Sequence, residues 1–184
     1  MAVKVVSAGL LHKSDVGGVE LNLRSDDEVG DGFERVTAAG SRVEGARVEG
    51  ALVAPMRSGG LELIVGVVRD PLWGATLAVG LGGVFVNLYD DVALRLLPVG
   101  EDDVRQMLDE LRGKALLTGV RGSSPVDVDR LVQAVVAFAG VAERLGPQLA
   151  SVEINPLRVE GATIEALDAA VVWNSTSPLQ AALQ

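Results

Sequence analysis

Residues 152–169 read VEINPLRVEGATIEALDA. Ser151 to Asn155 and Thr163 to Asp168 fit two strands of a closing hairpin, and Glu160-Gly161-Ala162-Thr163 fits a tight turn between them. Gly161 occupies the first central position, where a type II′ turn requires positive φ. With Gly161 and Ala162 as the loop, residues whose numbers sum to 323 pair, so Asn155 lies directly opposite Asp168. Cross-strand partners share a face, with Cβ atoms about 4.5–5.5 Å apart. Two oxygen-bearing side chains therefore converge among apolar neighbours. Mg²⁺ takes few protein ligands and completes its shell with water and phosphate, so the pair suits that ion. An exposed polar pair on a surface hairpin is the alternative reading.

Upstream, Ala2 to Val6 reads as a strand that opens almost without lead-in. Ser7 to Gly18 reads as a loop, and Val19 to Leu23 alternates as a half-buried strand does. Ser25 with Glu28 has the spacing of a capping box, and Val29, Phe33 and Val36 then share a helical face that Gly40 ends. Gly30 and Gly32 each weaken that helix by up to about 1 kcal/mol relative to Ala. Val48 to Pro55, Leu61 to Val68 and Ala75 to Val79 read as strands. Val104, Met107, Leu108 and Leu111 mark one amphipathic helix. A second opens with Ser124 as N-cap, Pro125 at its first position and Asp127 in its first turn. Its stripe is Val128, Leu131, Val135, Phe138 and Ala142, and Gly146-Pro147 stops it. Strands and helices do not alternate regularly, so the fold class is α+β rather than a doubly wound parallel sheet. Neither GxGxxG nor GxxxxGK[ST] occurs.

The 184 residues suit one domain or two small lobes, and 48% hydrophobic residues can build a core, which 3% aromatics leave to aliphatic side chains. A net charge of −9, without a basic run, argues against a nucleic-acid partner. No cysteine is present, which removes disulfides and thiol chemistry. No apolar run reaches the roughly 20 residues of a membrane span. A cytoplasmic, non-membrane protein is expected. Other candidates stand singly. His12, the lone histidine, lies in a polar loop; Lys4 and Glu62 interrupt apolar strands; and Gly80 to Gly83 could admit either a phosphate or only a turn.

These features occur together in an order that resembles a known family. VKVVSAGLLHKSDVGGVEL at 3–21, EGALVAPM at 49–56, GGLELIVGVVRDPLWGATLAVGLGGVFV at 59–86, DVALRLLPV at 91–99 and the closing hairpin are similar to the ATP-grasp domain of NDP-forming acyl-CoA synthetases, succinyl-CoA synthetase beta-like proteins included. The resemblance spans residues 1–172. It implies lobe one at about 1–54, lobe two at about 55–172 and a tail at 173–184.

It also implies roles. Lys4 matches a lysine on ATP phosphates, and Val53 and Ala54 match the hinge whose backbone meets adenine. Glu62 matches the acidic residue near the ribose, and Asn155 and Asp168 match the Mg²⁺ ligands. His12 matches a loop histidine that takes a phosphoryl group. The implied reaction converts acid, CoA and ATP to acyl-CoA, ADP and phosphate, with CoA-binding and acyl-transferring domains in the same or a partner chain. The sequence departs from the family at Asn87, where a glutamate is common, and at Asp90, where a basic residue is common. A strand at residue 2 leads to the expectation of a first lobe incomplete at its N-terminal side, inactive without partner domains. A regulatory ATP-grasp module attached to a protein acetyltransferase and an ATP-grasp carboxylate–amine ligase are the rival readings.

Overall fold

Val3 and Val5 alternate with Lys4 along β1 (Ala2–Ala8), and that period of two puts the valines on one face. In the computed structural model, which describes residues 1–8, 10, 13–82, 91–119 and 124–174, β1 is the middle of a three-stranded antiparallel sheet. β2 (Val19–Glu20) and β3 (Arg47–Ala54) flank it. α1 (Asp26–Gly40) covers the valine face, and Val3, Val5, Leu10 and Val36 form the core of this unit, Met1–Ser58.

Ser25 caps α1, its Oγ accepting from the Glu28 N–H at 3.1 Å. Glu28 does not complete a reciprocal box; its Oε2 accepts from the N–H of Arg24, one residue earlier, at 2.6 Å. The expected stripe is corrected too. Gly32, Val36 and Gly40 are buried, whereas Phe33 is exposed. A Cβ on Gly40 would lie 2.9 Å from Val5 Cγ2 and one on Gly32 2.8 Å from Leu23 Cδ1, so these glycines let the helix approach the sheet. The expected loop at 7–18 loses its first two residues to β1 and contains a 3₁₀ turn at Lys13–Val16. The expected strand 19–23 shrinks to two residues, because Asn22 adopts φ 64° and turns the chain away.

The second unit begins at Gly59. Its six strands are β4 (Leu61–Asp70), β5 (Gly74–Leu81), β6 (Val92–Leu96), β7 (Leu149–Glu160), β8 (Thr163–Ala166) and β9 (Ala169–Trp173). They pair antiparallel in the order β6-β5-β4-β7-β8, with β9 also on β7. α2 (Glu101–Glu110) buries Val104, Met107 and Leu108, and α3 (Val128–Leu145) buries Leu131, Val132, Val135, Ala139 and Ala142, all in one core with Leu63, Leu77 and Leu149. The N-cap of α3 is Asp127, not Ser124: its Oδ1 accepts from the Arg130 N–H at 3.1 Å. The N–H groups of Val126 and Asp127 are bound to the carbonyls of Leu117 and Gly161, each at 2.9 Å, which holds the preceding residues out of the helix. β6 and β9 were not foreseen as strands. Trp173, expected to open a polar tail, ends β9 and packs against the core.

Candidate functional site

The hairpin keeps one register for most of its length. Glu160 pairs with Thr163 and Leu157 with Ala166; beyond a break, Ile154 pairs with Ala169 and Ser151 with Val172. Gly161 has φ 56°, as the turn needs. Within the break, the Asn155 N–H donates to the Asp168 carbonyl at 3.1 Å and the Leu167 N–H to the Pro156 carbonyl at 3.0 Å. Asn155 thus faces Asp168, as the turn register requires. On the other side of β7, the ladder to β4 slips by one residue between Leu63 and Val65, so Asn155 and the cis-bonded Pro156 bulge opposite Ile64. A bulge re-aims side chains at the point where it forms.

The two faces of this sheet differ. Leu63, Val65 and Val67 of β4 meet α2 and α3 in the core, so Glu62, Ile64, Gly66 and Val68 lie on the opposite face. Ile154 joins the core, which puts neighbouring Asn155, and Asp168 across from it, on that open face. The registers arrange this face in rows. One runs Val92, Gly80, Ile64 and then the Asn155–Asp168 pair; the next runs Gly82, Glu62, Arg158 and Glu165. Successive rows are about 6.8 Å apart along the strands. Val92, Leu94, Leu96 and Val68 are each about half exposed on this face, which they share with Thr76, Ser151 and the exposed Glu153.

Asn155 is exposed and Asp168 half-buried; Asp168 Oδ1 accepts from the Ala169 N–H at 3.0 Å. An amide and a carboxylate are hard oxygen donors, so the pair fits Mg²⁺. Among the described residues no group of three or more His, Cys, Asp or Glu is gathered. Glu62 is half-buried, and among the described residues its carboxylate has no hydrogen-bond or ion-pair partner.

In the other unit, Lys4 pairs with Val19 and Leu52, and Val53 and Ala54 at the end of β3 pair with Val3 and Ala2. Lys4, Val53 and Ala54 are therefore neighbours on one sheet, as Glu62, Asn155 and Asp168 are on the other. His12, Asn87 and Asp90 lie outside the described residues.

Two polar residues escaped the sequence reading. Asp91 is buried and accepts from the N–H groups of Arg112 at 2.7 Å and Gly113 at 2.8 Å, tying β6 to the end of α2. Arg158 is buried between Glu160 and Glu165. Neither has a local pattern; only the pairing of distant strands reveals them. Gly80 and Gly82 have packing reasons, since a Cβ would lie 2.9 Å from the Asp91 carbonyl in the first case and 3.1 Å from the Glu62 carbonyl in the second.

A six-stranded antiparallel sheet backed by two helices, preceded by a small three-stranded unit with a lysine on its central strand, defines the class. Residues 1–172 match the ATP-grasp domain model, and the chain belongs to that family. Its homologues are ATP-grasp parts of ADP-forming acyl-CoA synthetases. The beta subunit of acetate–CoA ligase (ADP-forming) I from Pyrococcus furiosus is 33% identical over 173 residues, 94% of this chain and 74% of that one. Acetate–CoA ligase (ADP-forming) I from Archaeoglobus fulgidus is 36% identical over 159 residues, 86% of this chain but 23% of that protein. Among solved structures, the dinucleotide-forming acetyl-CoA synthetase 1 of Candidatus Korarchaeum cryptofilum, in complex with coenzyme A and Ca-AMPCP, superposes with TM-score 0.85 at 39% identity, covering 94% of this chain and 76% of that one. The same protein with coenzyme A and Mg-AMPPCP, its phosphohistidine segment pointing towards the nucleotide site, gives TM-score 0.74 at 36% identity and covers 95% and 76%. Among the described residues, no helix is long and apolar enough to cross a membrane.

Proposed function

We propose that this chain is the ATP-binding part of a cytoplasmic, ADP-forming acyl-CoA synthetase, acting with CoA-binding and acyl-ligating domains in the same or a partner chain. The observation that carries the reading is the meeting of Asn155 and Asp168 at the break in the hairpin, one row from Glu62 and on the face that α2 and α3 leave open. Asn155 and Asp168 hold Mg²⁺, Glu62 accepts from ribose hydroxyls, Lys4 offsets phosphate charge, and the backbone of Val53 and Ala54 meets adenine. Mg-ATP, when bound, supplies the phosphoryl group and the electrophilic phosphorus. A neutral imidazole nitrogen of His12 is a nucleophile near neutral pH. It takes that group as a P–N bond while the bond to the departing ADP oxygen breaks, and then passes it to a carboxylate oxygen of the acid, the P–N bond breaking as the acyl phosphate forms. The relatives named for acetate and CoA, and the nucleotide analogues and phosphohistidine segment of the Korarchaeum structures, support the assignment.

Calorimetric titration of the Asp168→Ala variant tests it. Mg-ADP affinity is expected to fall by roughly tenfold or more, by analogy with the loss of metal-site groups, while ADP affinity in chelator stays near wild type. Equal losses with and without Mg²⁺ overturn the metal assignment. For His12, labelled ATP and the partner domains should give an acid-labile, base-stable label that His12→Ala abolishes. Acyl-CoA formation at the normal rate by that variant rules out the relay.

A further inference from the structure

Arg158 is a buried cation directly opposite Glu62, yet it is committed elsewhere. Its Nε donates to the Gly59 carbonyl at 3.0 Å, one terminal nitrogen meets Glu165 at 3.2 Å, and the other pairs with Glu160. Pairing in the ladders places Glu62, Arg158 and Glu165 in one row across three strands, and Glu160, two residues along β7, on the same face. Directly opposed Cβ atoms lie about 4.5–5.5 Å apart, within the reach of an arginine and a glutamate side chain. A guanidinium presents five donors and binds carboxylates readily, so a neighbouring Glu62 would normally be drawn into the pair. Two carboxylates and a carbonyl already take three of those donors and draw the guanidinium toward Gly59, Glu160 and Glu165, and Glu62 is left as a half-buried acceptor facing the open side of the sheet.

We infer that Glu165, aided by Glu160 and the Gly59 carbonyl, is a positioning residue that withholds Arg158 from Glu62 and so keeps the Glu62 carboxylate available to the ribose. This rests on the proposed role of Glu62 in nucleotide binding. Glu165→Ala removes one acceptor from Arg158, and the nearest carboxylate in its row that is not already engaged is Glu62.

The test measures binding of Mg-ADP and of Mg-2′,3′-dideoxy-ADP, which lacks the ribose donors, to the full chain. A hydrogen bond to a charged group corresponds to roughly tenfold or more in affinity, so wild type should prefer ADP by about that factor and Glu62→Gln should lose most of the preference. Glu165→Ala should reduce the preference severalfold, with little change in binding of the dideoxy nucleotide. The double variant Arg158→Met, Glu165→Ala should regain it, because the competing cation is gone. A merely structural Glu165 gives a different result: both nucleotides weaken together and Arg158→Met deepens the loss. That result overturns the inference while leaving the role of Glu62 intact, as does wild-type preference in Glu165→Ala. A Glu62→Gln protein that still prefers ADP, or a wild type that binds neither nucleotide, refutes the role of Glu62 and the inference with it.

Discussion

The two units use different means to hold a helix against a sheet. Among the described residues, the first has four fully apolar core positions, Val3, Val5, Leu10 and Val36, whereas the second gathers a continuous cluster from six strands and two helices. The larger unit fills its interior mainly with leucine and valine. The smaller one brings backbones together, with glycine at the helix positions where a methyl group would already touch Val5, Val48 or Leu23. Each arrangement fails differently: one by losing volume, the other by gaining it.

The sharpest way to expose that difference is to delete volume from the larger core. Leu131→Ala, at a position with no exposure, should cost about 3–5 kcal/mol and unfold the second unit at lower denaturant, measured by urea melts. Asp91→Ala should come next, at roughly 1–3 kcal/mol, because it removes a buried carboxylate and leaves the part-buried N–H groups of Arg112 and Gly113 without their acceptor; hydrogen exchange at those two amides should rise more than at the core of β4. The reverse perturbation belongs to the first unit. Gly40→Ala puts a methyl 2.9 Å from Val5 Cγ2 and 3.1 Å from Val48 Cγ2. It should destabilise that unit by about 1–2 kcal/mol despite its better helix propensity, and exchange should increase in β1 while β4 is unchanged. If Gly40→Ala stabilises the unit instead, close approach is not what the glycine supplies.

The smallest effect comes from the surface, where the units are alike. The Arg35 guanidinium holds the Glu20 carboxyl below its ordinary range through a bidentate hydrogen bond, and Arg95 does the same to Glu110. A depressed carboxylate pKa contributes stability that is present above the ordinary value of about 4.3 and lost as pH falls through the lowered one. Glu20→Gln and Glu110→Gln should therefore lower melting slightly at pH 7, and the difference should shrink progressively as pH falls below about 4.3. High salt should remove the difference, since both pairs are exposed.

Much of the candidate site was legible in one dimension. The two-residue turn at Gly161 and Ala162 sets the pairing, so the facing of Asn155 and Asp168 follows from counting, and β7 and its partners carry that count past the break at Pro156. The same holds for Ser25 as a cap and for Val104, Met107 and Leu108 as a buried stripe, since cap and period act within one turn of helix. Sequence reading failed where a local signal competed with a distant partner. Ser124 and Pro125 look like a helix start, but the N–H groups of Val126 and Asp127 are bound by Leu117 and Gly161. Phe33 looks like a core residue, but Gly32 occupies the face that meets the sheet.

Turn type, register and amphipathic period depend on neighbours a few residues apart, and the chain alone decides them. Which face of the hairpin is left open, how Arg158 is shared among Gly59, Glu160 and Glu165, and why Asp91 can be buried at all depend on groups brought together from up to 99 positions away. Those choices are made when the strands assemble, because only then does a buried charge or N–H meet the partner that offsets its lost hydration.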